Sequence, residues 1–331
     1  MVRIGGNNHH PKGQTVRVLL TGAFGNIGKT TLHELLEQQH TVRCFDLPTP
    51  QNQQAAKQFG DQIDIVWGDL RKPEDVSKAV DGVEAVIHIA FIIPPPSEIK
   101  PEFAYSVNVG GTKNLIEAMQ NQPEPPRLIF ASSFHIHPYI HDRPVPITVD
   151  APTEPIDNYA SHKIECERMI RESGLQWCIL RLGTVPPIPP YKADATSIKY
   201  MFDVPLQTRV EFIHFRDAGL AFANAATCDD CLGKVMFLGG GKSSQIDYRE
   251  YFTTYLDAFG LRMFPDSAFG SKPYCGDWLD TTDSQALLQY QRLTFADWTQ
   301  ELKQVTRTQR FFTRLVQPFV MRYLLKLSPY A

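Results

Sequence analysis

The sequence lacks the features that mark membrane-spanning or nucleic-acid-binding proteins. Its 331 residues contain no apolar run of about 18 residues, the length that a membrane-spanning helix needs. The formal net charge is −3, so no general attraction to nucleic acid is expected. The sequence also has no internal repeats. A chain of this length can bury a large core and, on length alone, suggests about two domains.

Cysteine is sparse, and its spacing does not form a metal-binding pattern. Cys228 and Cys231 form a single C-x-x-C without a second pair, so no zinc site is expected. No secretory leader is seen; residues 1–15 are polar and glycine-rich and are expected to form a disordered lead-in. We therefore expect free thiols in a reducing cytoplasm. The six cysteines are Cys44, Cys166, Cys178, Cys228, Cys231 and Cys275.

Apolar runs alternate with helical patterns over residues 16–183. This alternation predicts an α/β fold, a doubly wound parallel sheet of the Rossmann type with helices on both faces. Part of 211–240 is expected to complete the sheet. The irregular, proline-rich pattern after residue 183 predicts a smaller substrate-binding portion at 184–307, laid over the sheet edge without an independent core. The predicted strands are 16–22, 41–47, 63–70, 83–90, 127–133 and 177–183, and the predicted helices are 26–39, 72–82, 101–121 and 158–173.

A glycine-rich segment, TGAFGNIGKT, follows the first predicted strand and begins the first helix. Gly22 permits a tight turn, Gly25 lets the backbone approach a pyrophosphate, and Gly28 lets helix and strand pack closely. The helix N-terminus offers free N–H groups and the positive end of its dipole to the anion. Asp46 ends the second strand, where a carboxylate can accept both hydroxyls of an adenosine ribose and would repel a 2′-phosphate. The pattern predicts NAD rather than NADP as the cofactor.

Nine short motifs occur in the order typical of one enzyme family. They are TGAFGNIG, FDL, GDL, HIA, NVGGTKN, FASS, YASHK, LRLG and FIHFRDAG. On these motifs the chain resembles the extended short-chain dehydrogenase/reductase family, the NAD-dependent epimerase/dehydratase group, over about residues 16–300. The resemblance implies that Asp69 and Leu70 border the adenine and that Ala90 lies beside the cofactor. The cofactor-binding residues are then predicted to be Gly22, Phe24, Gly25, Asn26, Ile27, Gly28, Asp46, Asp69, Leu70, Ala90, Tyr159 and Lys163.

Tyr159 and Lys163 are four residues apart and would share one face of a helix. An ammonium near a phenol favours the phenolate, and the positive nicotinamide ring adds to this effect. A phenol with an ordinary pKa of about 10 could then exchange protons near neutral pH. In the family the second hydroxyl of FASS is catalytic, which assigns Ser133 to the reacting oxygen. The resemblance also implies that Lys163 holds the nicotinamide ribose and that Asn108 supports Lys163 through a water.

Departures from the family pattern narrow the chemistry. Dehydratases carry an acidic pair where Phe134 and His135 stand, so removal of water is not expected. Sugar-nucleotide enzymes carry an asparagine in place of Thr184. The segment between Arg181 and Glu211 is also shorter than the segment with which those enzymes bind a diphosphate. The loop FIIPPPSEIK is apolar and stiffened by prolines, which suits a compact, fairly apolar substrate. The substrate-binding residues are predicted to be Phe91, Ile92, Ser133, Phe134, His135 and Thr184.

Three histidines, His135, His137 and His141, follow Ser133 closely. Imidazoles are common metal ligands, but no carboxylate or cysteine accompanies them at a firm spacing. We expect no metal. In this interpretation His135 lines the substrate pocket, and the other two histidines lie in a solvated loop.

Residues 308–331 form a basic amphipathic tail. After Glu301 the chain has six bases and no acid, and apolar pairs recur every four residues from Phe311 to Leu324. The pattern predicts an amphipathic helix kinked by Pro318. Such a helix could lie on an anionic membrane surface, or it could pack on its own domain or on a partner subunit.

Three functions agree with these residues. The favoured one is an NAD-dependent oxidoreductase that transfers a hydride between NAD(H) and an alcohol or ketone carbon. The second is an NAD-retaining sugar-nucleotide epimerase, in which the same residues oxidise and re-reduce one carbon. The third is a dinucleotide-binding protein without turnover, although relatives of that kind usually lose the tyrosine or the lysine. The family also implies a homodimer formed through the helices at 101–121 and 158–173.

Overall fold

The structure is a computed structural model, and it describes residues 15–138, 143–188, 195–272 and 274–331. The predicted lead-in, except for its last residue, and His141 lie outside the described residues. A seven-stranded parallel sheet and a two-stranded antiparallel sheet are described. The strands are β1 (Arg17–Thr21), β2 (Thr41–Asp46), β3 (Asp64–Trp67), β4 (Ala85–His88), β5 (Arg127–Ser133), β6 (Trp177–Leu182), β7 (Arg209–Glu211), β8 (Val235–Leu238) and β9 (Gln245–Asp247).

Helices cover both faces of the larger sheet. The α-helices in the described part of the chain are α1 (Asn26–Glu37), α2 (Pro50–Ala56), α3 (Pro73–Val80), α4 (Pro96–Ile99), α5 (Pro101–Tyr105), α6 (Gly111–Gln120), α7 (Asn158–Glu172), α8 (Ala195–Asp203), α9 (Phe215–Ala225), α10 (Tyr248–Ala258), α11 (Thr282–Leu288), α12 (Phe295–Val305) and α13 (Arg307–Leu325). The helix predicted at 101–121 is not uniform, because a π-helical turn, Ser106–Gly110, joins α5 to α6.

Side chains of β1 show why the sheet is covered on both faces. Val18 and Leu20 pack in one buried cluster with α1 and α9, while Leu19 packs in a second cluster with α3, α6 and α7. Successive side chains of a strand point to opposite faces, and all three are fully buried. The strand order is β3–β2–β1–β4–β5–β6–β8, so the connections change direction at β1. The predicted Rossmann-type sheet is confirmed, and such sheets bind ligands beyond the strand ends at this switch point.

The C-terminal portion is more regular than its sequence pattern suggested. It contains β7, β9 and several helices, and β8, from the 211–240 region, is the seventh strand of the main sheet. Phe202, Phe252 and Trp298 are buried in a cluster separate from those of the sheet. The expectation of no independent core was therefore wrong. The buried residues come from short helices far apart in sequence, so no single periodic run revealed them.

A buried ion pair holds α7 against the sheet. Glu167 of α7 accepts hydrogen bonds from Nε of Arg181 at 2.9 Å and from its Nη2 at 2.7 Å. Ser132 of β5 donates to the same carboxylate at 2.6 Å. Arg181 also donates to His137, and burial together with this guanidinium lowers the pKa of His137 to about 4. The predicted solvated position of His137 was wrong, since the imidazole is buried and neutral.

Two of the cysteines are joined. Cys228 and Cys231 form a disulfide, with Cα atoms 5.5 Å apart, in the connection between α9 and β8. The expectation of free thiols was wrong for this pair, because a C-x-x-C sequence does not distinguish a dithiol from a disulfide. The remaining cysteines are free and buried, and they are Cys44, Cys166, Cys178 and Cys275.

The last helix, α13, is a single helix of 19 residues that contains Pro318 and has no fully buried residue. No helix among the described residues has both the length and the apolar character needed to cross a bilayer.

Removing the Glu167 carboxylate should destabilise the fold strongly. Glu167→Ala leaves the Arg181 guanidinium buried without its partner, which costs about 3–5 kcal/mol. The measurement is the free energy of unfolding from urea denaturation. Glu172→Ala is the matched control on the same helix, because its pair with Arg168 is exposed and is worth about 1 kcal/mol at most. Equal losses in the two variants would contradict the role given to the buried pair.

Candidate active site

A cavity of about 570 Å³ lies at the carboxyl ends of β1, β2, β4 and β5. The predicted site residues in its lining are Gly22, Gly25, Asn26, Ile27, Gly28, Asp46, Asp69, Leu70, Ala90, Phe91, Ile92, Ser133 and Tyr159. The predicted site residues outside its described lining are Phe24, Asn108, Phe134, His135, Lys163 and Thr184. The structure therefore brings both ends of the predicted site, the glycine turn and the tyrosine, to one cavity.

The three glycines of the first turn are required for different reasons. Gly22 has φ +68°, and a Cβ there would lie 2.9 Å from the backbone of Ala90. A Cβ on Gly28 would lie 2.0 Å from the carbonyl oxygen of Gly22. At Gly25 the nearest described atom would be that same oxygen, at 3.3 Å, so the chain's own packing excludes a side chain much less strongly there. The open surface at Gly25 is what close approach of a pyrophosphate would need.

The N-terminus of α1 faces this open surface. Its N-cap residue, Gly25, has no side chain to accept hydrogen bonds from the first-turn N–H groups, and the first turn contains no acid. Asn26 and Ile27 line the cavity beside it. A helix N-terminus without a cap has free donors and the positive end of a dipole, which together suit an anion.

Asp46 is oriented by three donors. Its Oδ2 accepts the Phe24 N–H at 3.1 Å, and its Oδ1 accepts the Leu47 N–H and Nδ2 of Asn52, both at 2.9 Å. Burial raises the pKa of this carboxyl. No described basic side chain forms an ion pair with Asp46, so its remaining acceptor capacity suits hydroxyl donors better than a phosphate. Asn52 was missed in the sequence, since an asparagine in a short helix gives no distinctive signal.

A second carboxylate of the cavity, Asp69, lies two residues after the end of β3. Asp69 forms an ion pair with Arg71, whose Nη2 lies 2.5 Å from Oδ2, and this pairing lowers the pKa of Asp69. The Arg71 guanidinium also lies 4.9 Å from the centre of the Phe103 ring. Arg71 lines the cavity but is already engaged, so it does not offer a free guanidinium to a 2′-phosphate. Sequence reasoning missed this pair.

A chain of buried hydrogen bonds joins the turns after β1 and β4. The Thr21 hydroxyl accepts the N–H groups of Ala90 and of the residue before it, each at 3.2 Å, and lies 2.8 Å from Nδ1 of His88. Nε2 of His88 lies 3.0 Å from the Thr112 hydroxyl, which donates to the carbonyl of Asn108. Burial lowers the pKa of His88 to about 3, so the ring is neutral. Thr21 then donates to Nδ1, and Nε2–H donates to Thr112.

Asn108 lies in the π-helical turn and holds the loop after β4. Its Oδ1 accepts the Ile92 N–H at 2.7 Å, and its Nδ2 donates to the Ile92 carbonyl at 2.9 Å. Nδ2 also lies 3.2 Å from Nδ1 of His162. Among the described residues Asn108 therefore positions the backbone of Ile92, and its predicted support of Lys163 stays a prediction.

Two carboxylates hold the N-terminus of α7. Asp157 accepts the Ala160 N–H at 2.7 Å as the N-cap. Glu98, from α4, accepts the N–H groups of Asn158 at 3.1 Å and Tyr159 at 3.2 Å. These contacts place Tyr159 at the cavity wall. Sequence reasoning missed Glu98, because it lies 60 residues before Asn158.

Tyr159 and Ser133 line the cavity together, and the Ser133 hydroxyl favours a lower pKa of the Tyr159 phenol. Burial raises the pKa of Tyr159 to about 12, and the Ser133 contact offsets only part of that rise. This is opposite to the direction expected from Lys163. The protein's own groups desolvate the phenolate more than they stabilise it, because the ammonium binds elsewhere.

Lys163 is fully enclosed behind Tyr159. Its Nζ donates to the Ala131 carbonyl at 2.5 Å and lies 3.4 Å from the centre of the Phe91 ring. The centre of the Phe130 ring is 4.6 Å away. Burial lowers the pKa of Lys163 to about 7. The amine can therefore gain or lose its proton near neutral pH.

His135 forms a cluster with two residues that sequence reasoning missed. Its Nε2 lies 2.7 Å from Oδ2 of Asp157, and its Nδ1 lies 2.7 Å from Sγ of Cys275. Burial, together with the Asp157 charge, raises the pKa of the Cys275 thiol, so the thiol donates to Nδ1. Both ring nitrogens are then occupied. The ring meets that of Tyr159 edge-on with centroids 5.5 Å apart, so His135 supports the tyrosine from the side.

Phe134 and Thr184 occupy structural positions beside the site. Phe134 packs in a small cluster with Ile147 and Phe237. The Thr184 N–H donates to the Glu211 carbonyl at 2.7 Å, which joins the end of β6 to β7. Within the described residues, no group of three or more histidine, cysteine or acidic side chains is arranged to hold a metal ion.

The fold and this cavity define a dinucleotide-binding protein of the Rossmann type. The model of the NAD dependent epimerase/dehydratase family matches residues 18–186, just over half of the chain. The chain belongs to the NAD-dependent epimerase/dehydratase family. The resemblance drawn from the motifs is confirmed, and NAD is confirmed as the cofactor at the level of the family.

Similar proteins carry out different reactions. The chain is 32% identical over 212 residues to a 3-beta-hydroxysteroid dehydrogenase of Mycolicibacterium neoaurum, covering 60% of this chain and 54% of the relative. It is 30% identical over 181 residues to a UDP-glucose 4-epimerase of Azospirillum brasilense, covering 53% and 50%. The chain thus spans about half the length of these relatives. One similar solved structure is a short-chain dehydrogenase/reductase superfamily protein from Agrobacterium tumefaciens with bound NAD. Its TM-score is 0.69 at 20% identity, and the match covers 91% of this chain and 100% of that chain. At this identity the likeness shows the fold alone.

Alanine at two of the glycines should separate binding from folding. Gly25→Ala should leave the unfolding free energy within about 1 kcal/mol of the parent, while NAD affinity falls at least about tenfold, because the new methyl group occupies the open surface. Gly28→Ala should unfold the protein or destabilise it by several kcal/mol, because its Cβ meets backbone. The measurements are urea denaturation and NAD titration by calorimetry. Undiminished NAD affinity in folded Gly25→Ala would contradict the assignment of the turn.

The buried amine of Lys163 should make stability depend on pH. Its pKa falls from an ordinary 10.5 to about 7, so between these values the unfolded chain binds a proton that the folded chain has lost. Stability should therefore rise with pH across this window, by up to about 1.4 kcal/mol per pH unit from this group. Lys163→Met should remove that slope, and Lys113→Met, at an exposed position on α6, should not. Urea denaturation at pH 7, 8 and 9 is the measurement, and an unchanged slope in Lys163→Met would contradict the burial of the amine.

Proposed function

We propose that the protein is an NAD-dependent oxidoreductase that transfers a hydride between NAD(H) and the alcohol or ketone carbon of a compact, fairly apolar substrate. The observation that carries this proposal is that Tyr159 and Ser133 line the same cavity as the glycine turn and Asp46. Lys163 lies one helical turn further along α7.

Tyr159 is the acid and base of this proposal, and Ser133 is a hydrogen-bond donor to the reacting oxygen. The raised pKa keeps the phenol protonated, which suits donation of a proton to a ketone oxygen. Accepting a proton from an alcohol needs positive charge nearby, and Lys163 supplies it when protonated. The Ser133 oxygen accepts the His135 N–H at 3.2 Å, so its own proton is available to Tyr159 or to the substrate. When bound, NAD⁺ would accept the hydride from an alcohol carbon, and NADH would supply it to a ketone carbon.

The proposed cofactor contacts follow the cavity from the first strand to α7. The glycine turn and the α1 N-terminus take the pyrophosphate, and Asp46 takes the adenosine ribose. Tyr159 and Lys163 take the nicotinamide ribose. The complete proposed set is Gly22, Phe24, Gly25, Asn26, Ile27, Gly28, Asp46, Asp69, Leu70, Ala90, Tyr159 and Lys163.

We propose an apolar substrate because apolar side chains, Phe91 and Ile92, line the proposed substrate end of the cavity. Phe91, Ile92 and Ser133 are the proposed direct contacts, while Phe134, His135 and Thr184 shape the wall behind them. Of the residues in the described lining, Arg71 is the single basic one, and Asp69 neutralises it. A nucleoside diphosphate would lack a cationic partner in such a wall. The relative that acts on a 3-beta-hydroxysteroid supports a rigid apolar alcohol as the first class to test.

The second candidate is a nucleotide-sugar epimerase. The family description and the UDP-glucose 4-epimerase relative favour it, and Ser133, Tyr159 and Lys163 would serve it equally. NADH that accumulates with a free alcohol supports the oxidoreductase. Retained NAD with a UV-absorbing nucleotide in freshly purified protein supports the epimerase. Tight NAD binding without turnover of either class supports the third function, a non-catalytic dinucleotide-binding protein.

We also propose a cytoplasmic homodimer with peripheral membrane contact. A dimer through the helices at 101–121 and 158–173 is supported by the exposed side chain of Tyr105, which contacts Glu165 of α7. Light scattering of the purified chain tests it, and a monomer mass would exclude it.

Removing the Tyr159 hydroxyl should abolish turnover but not cofactor binding. Tyr159→Phe should lower kcat for a 3-beta-hydroxysteroid or the best alcohol of a panel by at least about 100-fold, since the proton carrier is lost. NAD affinity should stay within a few fold. Tyr105→Phe is the control, because its hydroxyl donates to exposed Glu165 at 3.0 Å outside the cavity. NADH fluorescence measures both variants, and undiminished turnover by Tyr159→Phe would remove the tyrosine from the mechanism.

A further inference from the structure

Helix α13 is attached to the protein along one side. Arg310 donates to Asp257 at 2.8 Å, and Gln317 donates to the Gly260 carbonyl at 2.7 Å. Met321 and Leu324 pack against the core of the C-terminal portion. After the helix, the Ser328 hydroxyl donates to the Ala268 carbonyl at 2.6 Å. The sequence alternative in which the tail packs on its own domain is therefore correct for this side of the helix.

The other side of α13 carries large apolar side chains that nothing in the described chain covers. Phe319 is 79% exposed and Leu315 67% exposed, in a stripe with a four-residue spacing. We call this surface the aromatic face; it consists of Phe311, Phe312, Leu315, Val316, Phe319 and Tyr323. An exposed apolar patch of this size, on a helix held in place by contacts on its opposite side, indicates a binding surface.

The charges around the aromatic face have one sign. Arg307, Arg314, Arg322 and Lys326 lie on the helix or directly after it, and the chain has no acid after Glu301. Arg310 and Arg314 lie 2.8 and 4.0 Å from Asp257 on the attached side, whereas Arg322 and Lys326 have no described ion-pair partner. Bases beside an apolar helix face complement a surface that combines anionic headgroups with a hydrocarbon interior.

We propose that the aromatic face of α13 binds the interface of an anionic lipid bilayer and that the helix lies in its plane. A helix that cannot cross a bilayer but is amphipathic and basic binds in this way. A second copy of the chain is a poorer occupant. Two such faces pressed together would bring the bases of both helices close to one another, with no acid in residues 302–331 to neutralise them.

Flotation of the full chain with vesicles tests the proposal without any turnover assay. Vesicles of phosphatidylcholine with 30% phosphatidylserine (a chosen composition, roughly that of an anionic leaflet) should carry the protein upward, and vesicles of phosphatidylcholine alone should carry much less. The double variant L315E/F319E should reduce the bound fraction at least about tenfold, because it places charge in the apolar stripe. The variant R322Q/K326Q should reduce binding to the anionic vesicles by roughly tenfold and leave the aromatic stripe intact.

Two controls keep the test specific. Ile99→Glu changes an apolar side chain that is 60% exposed elsewhere, and it should float like the parent. Circular dichroism verifies that each variant is folded. Equal flotation of the parent and L315E/F319E would overturn the proposal. So would a parent that is a dimer in light scattering and becomes a monomer in L315E/F319E, because the face would then bind a second copy.

Discussion

The burial of one amine is the constraint on which the active-site end of the cavity depends. The Lys163 amine is 3% exposed, and the loss of its hydration is offset by the Ala131 carbonyl and by the faces of Phe91 and Phe130. These partners belong to β5 and to the loop after β4. These contacts exist only when sheet, loop and helix are assembled together, so the wall that carries the reactive groups forms as part of the core.

The helix that carries this lysine is fixed at two levels. Carboxylates of Asp157 and Glu98 hold its N-terminus, and the Glu167–Arg181 pair holds its middle. Negative groups at a helix N-terminus are favourable in themselves, so these contacts orient the tyrosine and stabilise the helix at once. His135 adds lateral support through Asp157, the same carboxylate that caps the helix.

Contacts that depend on local pattern could be predicted from the sequence, and contacts made by the docking of whole elements could not. The parallel sheet, the glycine turn and Asp46 follow from buried runs and from what a phosphate and a ribose require at strand ends. Cys275 lies 140 residues from His135, and no periodicity joins them. The core around Trp298 was hidden for the same reason. The pKa of Tyr159 was expected to fall, yet desolvation raises it, and desolvation depends on neighbours that only the fold assembles.

The Thr21 hydroxyl also has a consequence for motion. Because it binds both His88 and the backbone after β4, the two turns on the nucleotide side can separate only by breaking buried hydrogen bonds. The cavity wall also contains Ile93 and Phe103, whose side chains are exposed and take no part in these hydrogen bonds. Ligand exchange that leaves the bonds intact would therefore displace this part of the wall.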